Sequence, residues 1–252
     1  MNIQVIAKDT LITTTGHFIF GTFIKYILKN KQDIKSWPYY TYIHAMINTG
    51  ILLPFIFYLI VQDMNVNTFQ QWLTVNWTSS TAVVGIEQWV QTINMGYCVA
   101  SMLLSPKIYL NSPVLIIHHV VTFFGSLSVM HPMHCVGYAT FFTVLTEGGS
   151  TMHNIMAMYN NTYTRCLRVF TDIITRGIGA YMIIISLQVA QKVLPHVLIF
   201  WGYVGGAIWF FMNAQWTLHV AKSLLFRRKQ RQGNKHDNKK KKINIGIIPI
   251  QQ

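Results

Sequence analysis

Apolar residues recur in runs of about twenty, separated by short polar connections, from near residue 10 to beyond residue 220. A helix rises about 1.5 Å per residue, so such a run crosses the roughly 30 Å hydrocarbon core of a bilayer. The pattern predicts membrane-crossing helices at 10–28, 43–61, 83–104, 113–130, 135–158, 167–190 and 197–222. The first is the weakest, because His17 and Lys25 interrupt it, so six to seven spans are expected. The fifth holds Glu147 beside Gly148-Gly149 and is expected to bend or break there. The fold class that follows is all-α, a multi-pass transmembrane helical bundle. Its parts are an N-terminal segment with the weak first span (1–36), a transmembrane domain (37–222) and a basic tail (223–252) expected to be flexible.

Polar positions inside the runs are ordered. Glu87, Gln91, Asn94, Cys98 and Ser101 step by four and three, which places them on one helix face. His119, Thr122 and Ser126 do the same in the fourth run, with His118 one step around. Thr143, Glu147, Ser150 or Thr151, and Asn154 share a face in the fifth, and His44 and Asn48 join from the second. A charge at the bilayer centre costs about 2.5–3.5 kcal/mol on insertion scales, so these faces are expected to turn inward onto a polar chamber. Glu147 is expected to hydrogen-bond His118 or His119. Asp172 and Arg176, four apart, are expected to neutralise each other. His131 and His134 read as surface residues of a tight outer turn.

Composition supports the lipid solvent: 52% of the 252 residues are hydrophobic and only 11% charged, against about 25% charged in soluble domains. Mean hydropathy is +0.34. The net charge of +13 does not point to nucleic acid, because ten of the twenty Lys and Arg lie between Lys222 and Lys242 and no basic-aromatic groove accompanies them. Such a tail beside a membrane suits anionic lipid headgroups. With the tail inside, seventeen Lys and Arg fall on the inner side and only Lys8 and Lys192 on the outer, which predicts N outside and C inside. Segment 69–77 reads as interfacial, and Asn76-Trp77-Thr78 as a glycosylation acceptor.

No metal or cofactor is expected. Adjacent helical histidines point about 100° apart, which keeps His118 and His119 from one ion, and supporting carboxylates are lacking. Cys98, Cys135 and Cys166 have no metal spacing and read as small buried hydrophobes. Nucleophilic triads, Walker loops and dinucleotide glycine fingerprints are not visible.

The segments YIHAMINTGILLP, GYCVASMLL, SPVLIIHHVVTFFG and TEGGSTMHN, in that order over roughly residues 37–222, resemble the TLC-domain family (TRAM, Lag and CLN proteins). The chain is most similar to the small TLC-domain-containing proteins. The resemblance implies an endoplasmic reticulum membrane and lipid homeostasis. In the related ceramide synthases it implies acyl transfer, with paired histidines matched here by His118 and His119 and a first acidic position matched by Glu147. The second acidic position falls on Ser150, and an expected third-span Asp falls on Ser101. Both departures weigh against acyl transfer.

Three functions follow as expectations. The first is binding, sensing or adjusting membrane lipids through a chamber formed by His118, His119, Thr122, Glu147, Ser150, Asn154, Glu87, Gln91 and Asn94. The second is N-acyl transfer, with His119 as base and His118 and Glu147 beside it. The third is a non-catalytic accessory subunit among other membrane proteins, for which a mitochondrial inner membrane is the alternative location.

Overall fold

The computed structural model describes residues 2–34, 37–62, 87–131, 136–192 and 194–245. Segment 69–77, the Asn76 triplet, Cys135, His134 and the last seven residues lie outside them, as do the side chains of Glu87 and of all residues beyond Leu224.

Among the described residues the chain forms nine α-helices: α1 Ile3–Ile27, α2 Tyr39–Ile47, α3 Leu53–Gln62, α4 Glu87–Leu104, α5 Pro106–Leu110, α6 Pro113–Met130, α7 Val136–Met158, α8 Thr162–Ala190 and α9 His196–Ile245. Local signals set several ends. The Asn2 side chain accepts from the Gln4 amide at 2.9 Å and caps α1. Pro106 and Pro113 open α5 and α6 at positions that need no N–H. A π turn over Asn48–Leu52 joins α2 to α3. Pro54 has no N–H for the Gly50 carbonyl and its ring crowds that oxygen, which loosens the helix there.

Among the described residues, four helical stretches are long and apolar enough to cross a membrane: Tyr39–Ile60, Pro113–Met130, Thr162–Gln188 and His196–Leu224. α1, α4 and α7 have comparable lengths but carry more polar residues. α4 is the centre of the bundle, packing most extensively on α1 and also on α6, α7 and α3. At the α1–α4 crossing Thr13 lies against Gly96 and donates to the Thr92 carbonyl at 2.7 Å. α7 packs on α8, and α8 on α9.

The distribution of side chains is inside-out relative to a water-soluble protein. Among the described residues, 23 polar or charged residues are buried, as many as the 23 apolar ones, while Phe170, Ile173, Tyr181, Phe200, Trp201 and Phe211 face outward. In water that outer face would cost about 25 cal/mol per Å² of apolar surface; in hydrocarbon it costs nothing. The chain has the build of a membrane protein.

Two expectations are corrected, the break in α7 and the burial of Cys166. α7 does not break at Glu147-Gly148-Gly149. Gly149 instead lets α8 approach, since a Cβ there would sit 2.6 Å from Thr175 Oγ1. The backbone of α9 runs on as helix through the basic stretch to Ile245, in keeping with the helix propensity of its Lys, Arg and Gln, which leaves the expectation of flexibility where it was. Cys166 is exposed, whereas Cys98 is buried.

Candidate functional site

α4, α6 and α7 bring their polar faces together, and the space between them is divided. A polar cavity of about 280 Å³ is fronted by His44 from the second span, Tyr97 and Ser101 from α4, His118 and His119 from α6, and Glu147, Ser150, His153 and Asn154 from α7. An apolar cavity of about 800 Å³ lies between α6, α7 and α9, with Gln91, Asn94, Thr122 and Thr143 on its polar side and Gly202, Gly205 and Trp209 on α9. Glu147 fronts both cavities. The nine expected chamber residues therefore separate: His118, His119, Ser150 and Asn154 in the smaller cavity, Thr122, Gln91 and Asn94 in the larger, Glu147 at their boundary. Glu87 opens α4, and its side chain is not described.

His119 is the most constrained of the histidines. Its Nδ1 lies 3.0 Å from the Leu115 carbonyl, one helical turn back, which accepts only from a protonated nitrogen. In the neutral ring Nε2 is then an acceptor, 3.1 Å from the Tyr109 hydroxyl. Tyr109 also reaches Ser101 Oγ at 2.9 Å, and Ser101 donates to the Cys98 carbonyl at 3.0 Å. Tyr109 sits on α5, between spans, and burial pushes its phenol up, so the hydroxyl keeps its proton. His118 packs edge-on against His119 and Trp216, with ring centroids at 5.5 and 5.6 Å.

The expected hydrogen bond from Glu147 to the histidines is not what the described residues form. His119 is occupied by Tyr109 and Leu115. Glu147 instead faces Ser150 and the Arg176 guanidinium, and Arg176 Nη2 donates to Ser150 Oγ at 2.9 Å. The Asp172–Arg176 pairing is corrected with it. Asp172 pairs with Arg168, whose Nε lies 2.6 Å from Oδ2, and accepts from Thr217 at 3.0 Å. Arg168, expected in an inner connection, is 2% exposed inside α8 and donates through Nη1 to the Gly149 carbonyl at 2.6 Å. Both arginines line the polar cavity.

Sequence reading missed four contributors. His17 on α1 meets His44 with Nδ1 and Nε2 3.3 Å apart, and Tyr97 stands edge-on to both rings, with centroids at 5.7 and 5.1 Å. Tyr109 and Arg168 lie in stretches that read as connections. The signal available for His17 was its phase: Asp9, Thr13 and His17 repeat every four residues, and all three are buried. Among the described residues no three His, Cys, Asp or Glu side chains are arranged to hold a metal.

No family model, no curated protein and no solved structure matches the chain.

Proposed function

We propose that this is a TLC-type integral membrane protein that binds a membrane lipid, sensing it or adjusting its abundance. The headgroup lies in the polar cavity and the chains in the apolar one. The observation that carries this reading is the meeting of the two cavities at Glu147. The larger volume lies within the range that small-molecule sites occupy, about 300–1,000 Å³, and the smaller just below it; the smaller holds the charged groups and the larger is the more apolar, which suits the two ends of a lipid.

A purely structural subunit would be expected to have a filled core. The acyl-transfer reading needs a carboxylate to orient His119 as base, and Tyr109 and a backbone carbonyl hold that ring instead. Lipid binding without covalent chemistry is therefore favoured. The proposal takes seven crossings with N outside and C inside. Moving Arg168 from the inner connection into the bundle leaves the charge bias at sixteen to two. The proposal puts the protein in the endoplasmic reticulum membrane, the location that the resemblance of residues 37–222 implies.

The test fills the larger cavity. Gly205 fronts it, and a Cβ there meets nothing within 4 Å, so Gly205→Leu projects a side chain into the space assigned to the lipid chains. Native mass spectrometry of gently purified protein should find a stoichiometric lipid in the wild type and about tenfold less in Gly205→Leu, a loss of about 1.4 kcal/mol. Gly16→Leu, on the exposed side of α1, should retain the lipid. Equal lipid in wild type and Gly205→Leu would sink the reading.

A further inference from the structure

The fixed charges in and behind the polar cavity cancel. Arg168 is met by Asp172 at 2.6 Å, and Arg176, whose Nη2 donates to Ser150 Oγ at 2.9 Å, shares the cavity wall with Glu147. Two guanidinium groups and two carboxylates leave no net fixed charge to welcome an ion of either sign. The cavity nevertheless presents one group of each sign, Arg176 and Glu147, on facing turns of α8 and α7.

We infer that the lipid taken by this site carries a zwitterionic headgroup, its anionic part turned to Arg176 and its ammonium to Glu147. This rests on the lipid-binding reading above and names the ligand class within it. A headgroup of net charge would leave an uncompensated charge inside the bilayer, where each costs several kcal/mol. A zwitterion keeps the sum at zero and gives Arg176 and Glu147 each a charge-assisted partner. Guanidinium suits phosphate geometry in particular. Tyr97 and Trp216 line the same cavity, and aromatic rings attract ammonium groups. The basic stretch from Lys222 to Lys242 follows Trp216, a cavity residue, along the chain; attraction of such a stretch for anionic lipid is screened by salt.

The test is lipid competition on the full chain. The protein is reconstituted with equal amounts of dioleoyl phosphatidylcholine, phosphatidylethanolamine, phosphatidylglycerol and a cationic dioleoyl trimethylammonium lipid. It is then washed at high salt, and retained lipids are counted by native mass spectrometry. Wild type should retain the two zwitterionic lipids about tenfold over either charged one. Glu147→Gln leaves the wall with net positive charge and should shift the ratio about tenfold toward phosphatidylglycerol. Arg176→Gln should shift it toward the cationic lipid, and Glu147→Asp should keep the wild-type order. Shifts of opposite sign do not come from damaged folding, which lowers all four lipids together; Glu147→Gln decides alone where Arg176→Gln does not fold. A wild type that prefers a charged lipid, or an unchanged ratio in Glu147→Gln, overturns the headgroup assignment and leaves lipid binding standing. A wild type that retains none of the four overturns both.

Discussion

At the scale of single residues, the polar cavity is held by a hydrogen-bond chain with one proton fewer than it has acceptors. His119 Nδ1 gives its proton to Leu115, so Nε2 must receive one, and Tyr109 can supply it only by not giving it to Ser101. The Ser101 hydroxyl resolves the count, because it can turn from the Cys98 carbonyl toward Tyr109. Removing either hydroxyl should therefore cost unequally. Tyr109→Phe leaves Nε2 of a buried ring without a donor and should destabilise by about 1–3 kcal/mol. Ser101→Ala frees the tyrosine proton for His119 and should cost about 1 kcal/mol or less. Thermal unfolding in detergent ranks the two, and a larger loss for Ser101→Ala would contradict the proton count. In a His119→Leu background the cost of Tyr109→Phe should largely vanish, since both partners are then apolar.

At the scale of elements, two neighbouring glycines of α7 do different things. A Cβ on Gly149 would sit 2.6 Å from Thr175 Oγ1, and the Arg168 guanidinium is bonded to the Gly149 carbonyl. A Cβ on Gly148 meets nothing within 4 Å. Gly149→Ala should push α8 away and cost about 1–3 kcal/mol. Gly148→Ala should be neutral or stabilise by up to about 1 kcal/mol through helix propensity. Thr175→Ala should recover part of the Gly149→Ala loss. Equal effects of the two alanines would mean that the close approach is not what Gly149 provides. The same pair marks what was legible in the sequence. Gly148-Gly149 read as a break because glycine in a helix is ambiguous between flexibility and close approach, and only the neighbouring helix decides. α6, by contrast, was legible at both ends, Pro113 to Met130, from its apolar run and its opening proline. The polar faces of α4, α6 and α7 were also legible, because period-four spacing is a property of one helix. Which residue meets which across helices was not. Glu147 turned to Arg176 through packing between α7 and α8 that no single segment encodes, whereas Arg168 and Asp172 are four apart on α8, a spacing the sequence did offer beside that of Asp172 and Arg176.

At the scale of the whole molecule, the polar interior and the apolar criterion for a crossing helix are in tension. α7 carries Thr143, Thr146, Glu147, Ser150, Thr151 and Asn154, and its composition keeps it out of the four apolar stretches. Those residues front cavities or neighbouring helices rather than lipid: Thr143 meets Gln91 at 3.1 Å and Thr151 meets Thr49 at 2.7 Å. A helix whose polar groups are satisfied inside a bundle crosses a membrane at far lower cost than its hydropathy suggests. The distinction is measurable by parity. Asn111 and Gln191 are both exposed and flank the stretch holding α6, α7 and α8. Three crossings put them on opposite sides of the membrane; two, with α7 left out, put them on the same side. In a background with Cys98, Cys135 and Cys166 replaced by alanine, Asn111→Cys and Gln191→Cys are introduced one at a time into protein in sealed vesicles of known orientation. A membrane-impermeant maleimide should label Gln191→Cys from the outer face, and Asn111→Cys only after the vesicles are opened. Labelling of both from one face would remove α7 from the membrane. The cavity that Glu147 divides would then no longer lie within the bilayer, and the lipid reading would lose its physical basis.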